Sequence, residues 1–336
     1  MMFLLKILKF LIYLILAIII LAGFFYFIFR PPEKIEWGLT FSGAHADYLG
    51  LDPKAAYLEI LNELKPKNVR LMAYWEMQEK EQGKFDFSEI DFNLEENQNR
   101  GIKTLLVVGY KQPRWPECHH PAWFEKLSEA EKEQAILNYI QSSVEHFKTF
   151  STIEMWQLEN EPFFNYGEKG CLPVKKDLLK REMKIVKKID KRPILFTDSG
   201  EKSVWLKTAY MGADAFGSTM YREVYNDKKA KYQKYPIPSA FYRIKAGVIK
   251  VFLGYNEVAG TELQAEPWFH GSVADMPWEE QKIHMNPEIF KDNIEYAKKS
   301  GFYIHYLWGA EWWLWAKAQG HNEMWEAAKE LFTINN

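Results

Sequence analysis

Eight short apolar runs alternate with helical stretches from Ile35 to the C-terminus, and this alternation constrains the fold most strongly. Eight strand–helix units in about 300 residues predict an α/β protein, a (β/α)8 TIM barrel. A doubly wound open sheet is the alternative, but the Gly-rich phosphate turn expected after its first strand is missing from the sequence. The predicted strands are Trp37–Ser42, Asn68–Trp75, Lys103–Gly109, the run beginning at Ile153, Pro193–Thr197, Ala213–Ser218, Glu257–Gln264 and Phe302–Trp308. The helices between and after them are predicted at Asp52–Leu64, up to Asn99, up to Phe150, and at Lys175–Ile189, Lys202–Met211, Pro238–Leu253, Asn286–Lys299 and Met324–Phe332.

The N-terminus carries a separate signal. Phe10–Phe29 is a run of 20 residues without a charged side chain, long enough to cross a bilayer as a helix. Basic residues flank it on both sides, among them Lys6 and Lys9. Its bulky aromatic end differs from the small residues at a signal-peptide cleavage site. We therefore predict a single-pass signal anchor and linker at 1–34, with the N-terminus cytoplasmic, and one extracytoplasmic domain at 35–336.

Charge and composition narrow the range of molecules that the protein is expected to bind. The formal net charge is −2, and because the N-terminal segment is basic, the rest of the chain is mildly acidic. This argues against nucleic acid as a partner. Aromatic residues make up 16% of the chain, with 13 Trp, which fill cores or line grooves that stack against sugar rings. No composition break marks a second domain, so we expect one domain after the N-terminal segment. We also expect the protein to be monomeric.

The fourth predicted strand ends in Asn160-Glu161-Pro162. Proline cannot donate a ladder hydrogen bond, so the strand stops and the chain turns. A carboxylate is thereby held at the carboxyl end of a strand, where barrel enzymes place their chemistry. Glu159 has the same parity but should lie deeper, where a structural role suits it better.

The seventh predicted strand supplies a second carboxylate. Strands four and seven lie across the mouth of an eight-stranded barrel, and Glu262 follows Glu161 by 101 residues, or three strand–helix units. Two facing carboxylates suit retaining glycoside hydrolysis, in which one is the acid/base and the other attacks the anomeric carbon. Glu266 shares the parity of Glu262 and is the alternative nucleophile. An arginine beside the nucleophile would keep it charged, and Arg70 in strand two is the candidate.

These motifs resemble the clan A glycoside hydrolases, retaining (β/α)8 enzymes that include cellulases, xylanases, β-mannanases and β-galactosidases. The resemblance rests on Asn160-Glu161-Pro162 at strand four and Thr261-Glu262-Leu263 at strand seven, supported by Val69-Arg70-Leu71 before Trp75 and by the loop 83–88. It covers the body after the anchor and does not single out one family. It implies that Glu161 is the acid/base and Glu262 the nucleophile. It also implies that Asn160 binds the sugar 2-hydroxyl, with Arg70 and Tyr221 supporting Glu262.

Other residues at strand ends complete the candidate site. Trp308 is the expected platform beneath the sugar ring, and Trp115, Trp268 and Glu266 lie where they would line the cleft. No cofactor is expected. No metal is expected at His119-His120 either, because adjacent histidines point apart.

The two cysteines of the chain, Cys118 and Cys171, fall in neighbouring loops on one face of the predicted barrel. In an exported domain this position predicts a disulfide.

We therefore expect a membrane-anchored retaining glycoside hydrolase that cleaves β-glycosidic bonds in oligo- or polysaccharides. One alternative is a catalytically inactive barrel that binds glycans at the cell surface. Another is a transglycosylase, which differs from a hydrolase only in excluding water. The sequence leaves open the sugar, the linkage and the choice between endo and exo action.

Overall fold

Eight parallel strands close into a barrel in a computed structural model of the chain, which confirms the predicted (β/α)8 fold. The structure describes residues 2–28, 32–165, 171, 173–268 and 271–335. The order around the barrel is β1-β10-β9-β6-β5-β4-β3-β2. The barrel strands are β1 (Glu36–Phe41), β2 (Asn68–Met72), β3 (Lys103–Val108), β4 (Ile153–Leu158), β5 (Ile194–Asp198), β6 (Ala215–Met220), β9 (Val258–Gln264) and β10 (Ile304–Trp308). The strands β7 (Glu223–Asn226) and β8 (Lys231–Lys234) form an antiparallel hairpin after β6.

Helices connect and surround the strands. They are α1 (Met2–Ile28), α2 (Gly43–Tyr48), α3 (Pro53–Leu64), α4 (Trp75–Gln78), α5 (Ser88–Arg100), α6 (Glu129–Phe147), α7 (Lys176–Ile189), α8 (Leu206–Ala209), α9 (Ser239–Leu253), α10 (Trp278–His284), α11 (Pro287–Lys298), α12 (Ala310–Ala318) and α13 (Glu323–Asn335). Short 3-10 turns lie at Ala122–Lys126, Asp227–Lys229 and Val273–Asp275. Asp52 caps α3 as predicted, since its carboxylate accepts a hydrogen bond from the Ala55 amide.

The predicted helix at Lys202–Met211 is wrong in extent, because only Leu206–Ala209 is helical. The chain before it bonds to neighbouring groups instead: the Gly200 amide donates to the Thr219 hydroxyl, and Trp205 adopts a positive φ of 68°. The hairpin and the helices α2, α4, α10 and α12 were not predicted, because they lie in segments that the sequence indicates as loops or connections or, for Trp75 of α4, as the end of a strand.

Side chains along each strand alternate between two layers. One set points outward to the helices, as Leu106 and Val108 do within the main hydrophobic core. The other fills the barrel interior, where one cluster contains Leu105, Leu195, Ala215, Ala259, Ile304 and Tyr306. Polar side chains replace these apolar ones toward the carboxyl ends of the strands. The candidate site therefore lies directly on top of a packed interior.

Strand β9 is irregular next to the site. Its pairing with β6 and its pairing with β10 both gain one residue between Gly260 and Leu263. Such a bulge reorients the side chains that follow it. The alternation of side chains along β9 is therefore interrupted before Glu262 and is regular from Glu262 to Gln264.

The N-terminal helix α1 is apolar and long enough over Phe3–Phe27 to cross a membrane, as an anchor or as a signal sequence. Its side chains are exposed up to Leu21, whereas Phe25 is buried against α9.

Candidate active site

Arg70 is the centre of the polar network at the mouth of the barrel. It comes from β2, and none of its surface is exposed. Its Nε donates to Gln157 Oε1 at 2.9 Å, and its Nη2 donates to Asn160 Oδ1 at 3.3 Å, both groups of the β4 segment. Its Nη1 donates to Glu262 Oε1 and to the Thr261 carbonyl oxygen, each at 3.0 Å. One guanidinium thus joins the ends of β4 and β9 across the barrel.

Glu262 is held at both carboxylate oxygens. Oε1 accepts from Arg70, and Oε2 accepts from the Tyr221 hydroxyl at 3.0 Å. Burial and the nearby charge of Glu262 raise the pKa of the Tyr221 hydroxyl well above its ordinary value, so this group remains a donor. Only 6% of Glu262 is exposed. Two donors, one cationic and one neutral, therefore orient the carboxylate.

The acidic and amide residues Glu262 and Gln264 of β9 and Glu266 just after it contact three different parts of the fold. Glu262 meets Arg70 and Tyr221, whereas Gln264 Oε1 accepts from the Arg222 and Glu223 amides of the hairpin segment. Glu266 instead forms an ion pair with Arg114 at 2.8 Å. The β9 bulge lies before Glu262 and the strand ends at Gln264, so the three side chains share a parity but reach different neighbours along the strand and beyond its end.

The Asn160-Glu161 turn carries backbone strain. Glu159 and Glu161 have φ values of 61° and 41°, in the left-handed region that costs a non-glycine residue of order 1–3 kcal/mol. Arg114 and Glu117, in the loop after β3, have φ values of 79° and 70°. Such residues cluster at functional sites, where the surrounding structure enforces them.

Lys111 holds the Glu161 turn from the β3 side. Its Nζ donates to the Glu161 carbonyl oxygen at 2.9 Å and to the Phe164 carbonyl oxygen at 2.8 Å. Its own carbonyl oxygen accepts from the Asn160 amide at 2.7 Å. Burial lowers the pKa of the Lys111 ammonium, and the charges of Glu117, Glu161 and Glu159 oppose that effect.

Glu159 lies beneath the turn and is fully buried. Its carboxylate accepts from the Tyr110 amide at 2.8 Å and from the Lys111 amide at 2.6 Å. Burial raises the pKa of this carboxyl to about 7, against the effect of the two amides. These contacts fit the structural role that the sequence predicts for Glu159.

Asn160 is 2% exposed and fully engaged in the network. Its Oδ1 accepts from Arg70, from Gln157 Nε2 at 3.2 Å and from the Thr197 hydroxyl at 3.2 Å. Its Nδ2 donates to Glu117 Oε2 at 3.2 Å. The Thr197 hydroxyl also accepts from the Glu161 amide at 2.9 Å. The strand-four turn is thereby tied to β5 as well as to β2.

A second arginine, Arg114, closes the opposite side of the mouth. Its guanidinium contacts Glu266 at 2.8 Å and Glu311 at 3.1 Å, and it lies 4.3 Å from the centre of the Trp308 ring. Burial lowers the pKa of Arg114, but the two carboxylates outweigh this and raise it above its ordinary value. Burial raises the pKa of the Glu311 carboxyl. The Ser42 amide also donates to Glu311, which fixes this cluster to the end of β1.

The predicted aromatic residues differ in exposure. Trp308 is 6% exposed, with Arg114 over its ring, whereas Trp268 is 41% exposed and meets Tyr221 edge to face at 5.0 Å. Trp115 is 75% exposed, and within the described part of the chain no hydrogen bond or ring contact connects it to the network. Tyr221 and Trp308 belong to one buried cluster. Trp268 and Trp115 therefore have the surface that a ligand could contact.

The loop after β3 is fastened by its cysteine and histidine. Cys118 and Cys171 form a disulfide with Cα atoms 5.4 Å apart, the pairing that the sequence predicts. His119 contacts the Glu76 carboxylate at 3.0 Å and the Arg114 carbonyl oxygen at 2.9 Å. In the ranges that the structure describes, no group of three or more Cys, His, Asp or Glu side chains could hold a metal ion.

The network brings together Arg70, Asn160, Tyr221 and Glu262, with Glu161 on the same turn as Asn160. Sequence reasoning missed Gln157, Lys111 and Thr197 as its partners. A signal for Gln157 was available, since a glutamine between Trp156 and Leu158 in a predicted strand needs a buried hydrogen-bond partner. Lys111 lies in a predicted loop and Thr197 at the end of a predicted strand, and only the fold reveals their contacts.

Comparison with protein-family models and with curated protein sequences gave no match. Solved structures do match. A psychrophilic glycoside hydrolase family 10 endo-β-1,4-xylanase has a TM-score of 0.54 and 13% identity, covering 82% of this chain and 86% of that one. A family 1 β-glucosidase from Thermotoga maritima has a TM-score of 0.56 and 14% identity, covering 83% and 89%. An intracellular xylanase from Thermoanaerobacterium saccharolyticum, bound to xylotetraose, has a TM-score of 0.54 and 16% identity, covering 83% and 86%. At this identity the likeness establishes the barrel fold.

Proposed function

We propose that the protein is a retaining β-glycoside hydrolase of the clan A type, with Glu161 as acid/base and Glu262 as nucleophile. The observation that carries the proposal is the contact of Arg70 with both Glu262 and Asn160, the residue before Glu161. It brings together the ends of β4 and β9, the two strands on which the sequence motifs lie. The solved structures with the same fold include β-glucosidase and xylanase enzymes, which supports this reaction class.

The reaction proceeds in two displacements. An oxygen of Glu262 attacks the anomeric carbon, the bond to the leaving oxygen breaks, and Glu161 donates its proton to that oxygen. Glu161 then removes a proton from water, whose oxygen attacks the same carbon and breaks the ester to Glu262. Each glutamate ends in its starting state. Two inversions at one carbon leave the product with the configuration of the substrate.

The surrounding groups have separate tasks in this scheme. Arg70 and Tyr221 orient Glu262 for attack and compensate its charge. Asn160 lies where its amide could reach the sugar 2-hydroxyl in place of Glu117. Trp268 and Trp115 offer exposed aromatic surface for sugar rings, and Trp308 supports the pocket through Arg114. Oligo- or polysaccharides are the proposed substrates.

We further propose that α1 is an uncleaved single-pass anchor and that residues 35–336 form an extracytoplasmic catalytic domain. The disulfide supports an oxidising compartment for this domain. The burial of Phe25 against the barrel supports retention of α1, since a cleaved signal sequence would take that contact away.

The test uses Glu161→Gln and Glu262→Gln, each assayed with the wild type on a panel of aryl β-glycosides. We expect wild-type turnover of at least one sugar and its loss in both variants. Wild-type turnover by both variants would refute the assigned pair. A folded wild-type protein that binds glycans but hydrolyses none of the panel would favour the inactive binding barrel.

A further inference from the structure

The helix α9 has an unusual outer face for a barrel helix. Its inward residues, including Tyr242, Ala246 and Ile249, are buried in the core. The opposite side is also apolar, with residues at the i, i+3, i+7, i+10 and i+11 positions that mark one face of a helix. This stripe is Phe241, Ile244, Val248, Val251 and Phe252. Phe241 is 37% exposed, Ile244 and Val248 are half-buried, and the stripe is most exposed at its end, with 46% at Val251 and 66% at Phe252.

The helix α7 shows what an outer face in water looks like in the same barrel. Its exposed positions are charged, with Lys176, Lys180, Lys184 and Lys188 among them. The helix α9 has no acidic residue in its 15 positions, and its charged residues are Arg243, Lys245 and Lys250. A helix that is apolar on both faces and carries only basic charges is suited to an apolar, anionic surface.

The last turns of α1 pack on α9. Phe25 is 2% exposed, and its ring lies 5.7 Å from that of Phe252. The Arg243 guanidinium lies 3.8 Å from the centre of the Tyr26 ring. Gly247 permits this approach, because a Cβ there would lie 2.9 Å from the Phe25 carbonyl oxygen. The outer face of α9 therefore lies beside the last turns of α1.

The position of this contact along α1 sets the depth of α9. At a rise of about 1.5 Å per residue, the uncharged run Phe10–Phe29 matches the thickness of a bilayer core. Phe25 and Tyr26 lie four and three residues from its end, or about 5 Å along the helix axis. The residues of α9 that contact them are then within about 5 Å of the boundary between the acyl chains and the headgroups, where interfacial helices bury their apolar faces.

The connection to the barrel fixes which end faces the lipid. Residues 29–35 are the whole tether between α1 and β1, with a reach of about 25 Å when extended. β1 starts at the end of the barrel opposite the mouth. The helix α9 finishes at that same end, because it leads into the start of β9. Val251 and Phe252 therefore lie on the tethered side, and the mouth lies on the other.

We propose that the carboxyl-terminal half of α9 rests in the headgroup region of the membrane that α1 spans. The end of the barrel opposite the mouth then lies against the bilayer. The mouth opens toward the aqueous phase, from which the saccharide enters. This inference rests on the proposed anchor and is independent of the assigned catalytic pair.

The test places a fluorescent label on the full-length chain in proteoliposomes. Both native cysteines are in the disulfide, so Val251→Cys introduces a single thiol. The matched control is Ile283→Cys, since Ile283 is also aliphatic and 68% exposed but lies on α10, which follows the mouth end of β9. We expect lipids brominated near the headgroup to quench the label at 251 several-fold more than the label at 283. Equal quenching at both positions would overturn the proposal.

A second variant removes the apolar surface and leaves the anchor in place. Phe252→Asp in the Val251→Cys chain should reduce quenching to the level of the control, while Ile283→Asp should leave it unchanged. A label at 251 that is shielded by a second copy of the chain, with no quenching by lipid, would also contradict the proposal. Hydrolysis of aryl glycosides is measured in the same samples, so that loss of seating and loss of catalysis are seen separately.

Discussion

Two arginines at the mouth of the barrel hold carboxylates in different ways. Arg70 comes from a strand, is fully buried, and divides its donors among one carboxylate, two amide oxygens and a backbone carbonyl. Arg114 comes from a loop and meets two carboxylates, Glu266 and Glu311. The face of its guanidinium also lies against Trp308.

The difference separates two glutamates that the sequence leaves equivalent. Glu262 has an arginine and a tyrosine as donors and shares neither with another carboxylate. Glu266 shares Arg114 with Glu311, and its ion pair joins the β3 loop to the end of β9. The first arrangement suits a carboxylate that reacts, and the second suits one that forms a wall of the cleft.

The difference between Glu262 and Glu266 is tested most strongly by removing each carboxylate charge in turn. We expect Glu262→Gln to lower kcat by a factor of roughly 10⁴ or more, the scale on which the loss of a covalent nucleophile acts. Glu266→Gln should stay within about tenfold of the wild type, because Arg114 keeps its second carboxylate partner, Glu311. Steady-state turnover of one aryl β-glycoside by both variants is the measurement. The reverse order of effects would make Glu266 the nucleophile.

The role of Glu161 as the acid is tested by varying the acidity of the leaving group. Glu161→Gln should lower turnover by about 10²–10⁴-fold for poor leaving groups, which need a proton in the transition state. It should have a much smaller effect on a dinitrophenyl glycoside, whose leaving group departs without protonation. Rates over a series of leaving-group acidities give this dependence. A uniform loss across the series would contradict the assignment of Glu161 as the acid.

The tyrosine partner of Glu262 is expected to have an intermediate effect. Tyr221→Phe removes a hydrogen bond to a charged group, which is worth about 1.5–3 kcal/mol, so kcat/KM should fall about ten- to hundredfold. The matched control is Tyr255→Phe, which removes a buried hydroxyl bonded to the Ala209 carbonyl oxygen away from the site. It should leave kcat/KM unchanged. Equal losses in both variants would assign Tyr221 a purely structural role.

The smallest effect on turnover is expected from the disulfide. Replacing Cys118 and Cys171 by serine opens a link between residues 53 apart and should lower the free energy of unfolding by about 2–4 kcal/mol. Turnover at low temperature should change little, because both catalytic candidates are held by other contacts. Denaturant unfolding measures the loss. Mass spectrometry that finds two free thiols in the native wild type would show that the link is not formed.

The fold was predictable because its signals are local. Alternating apolar runs and capped helices such as the one at Asp52 require only neighbouring residues, and the predicted strand bounds agree with the structure within about three residues. The hairpin β7–β8 was not predictable in this way. Its residues are polar and read as loop, and it is held by Gln264, which bonds its backbone from β9.

The site was predictable in part for the same physical reason. The ends of strands can be predicted from the sequence, so Glu161, Glu262 and Arg70 were identified as candidate site residues. Their partners were not, because the partners depend on which elements meet across the barrel. Arg70 from β2 meets Glu262 and Arg114 from the loop after β3 meets Glu266, and no local sequence pattern indicates which arginine meets which glutamate.

The most direct test of the central claim is to trap the covalent intermediate. The wild type is incubated with a panel of dinitrophenyl 2-deoxy-2-fluoro-β-glycosides, which form the glycosyl ester quickly and hydrolyse it slowly. Tandem mass spectrometry of the digested protein then locates the label. The proposed mechanism predicts one sugar per chain, esterified to Glu262. A label on Glu266, or turnover of the parent glycoside without any label, would contradict it.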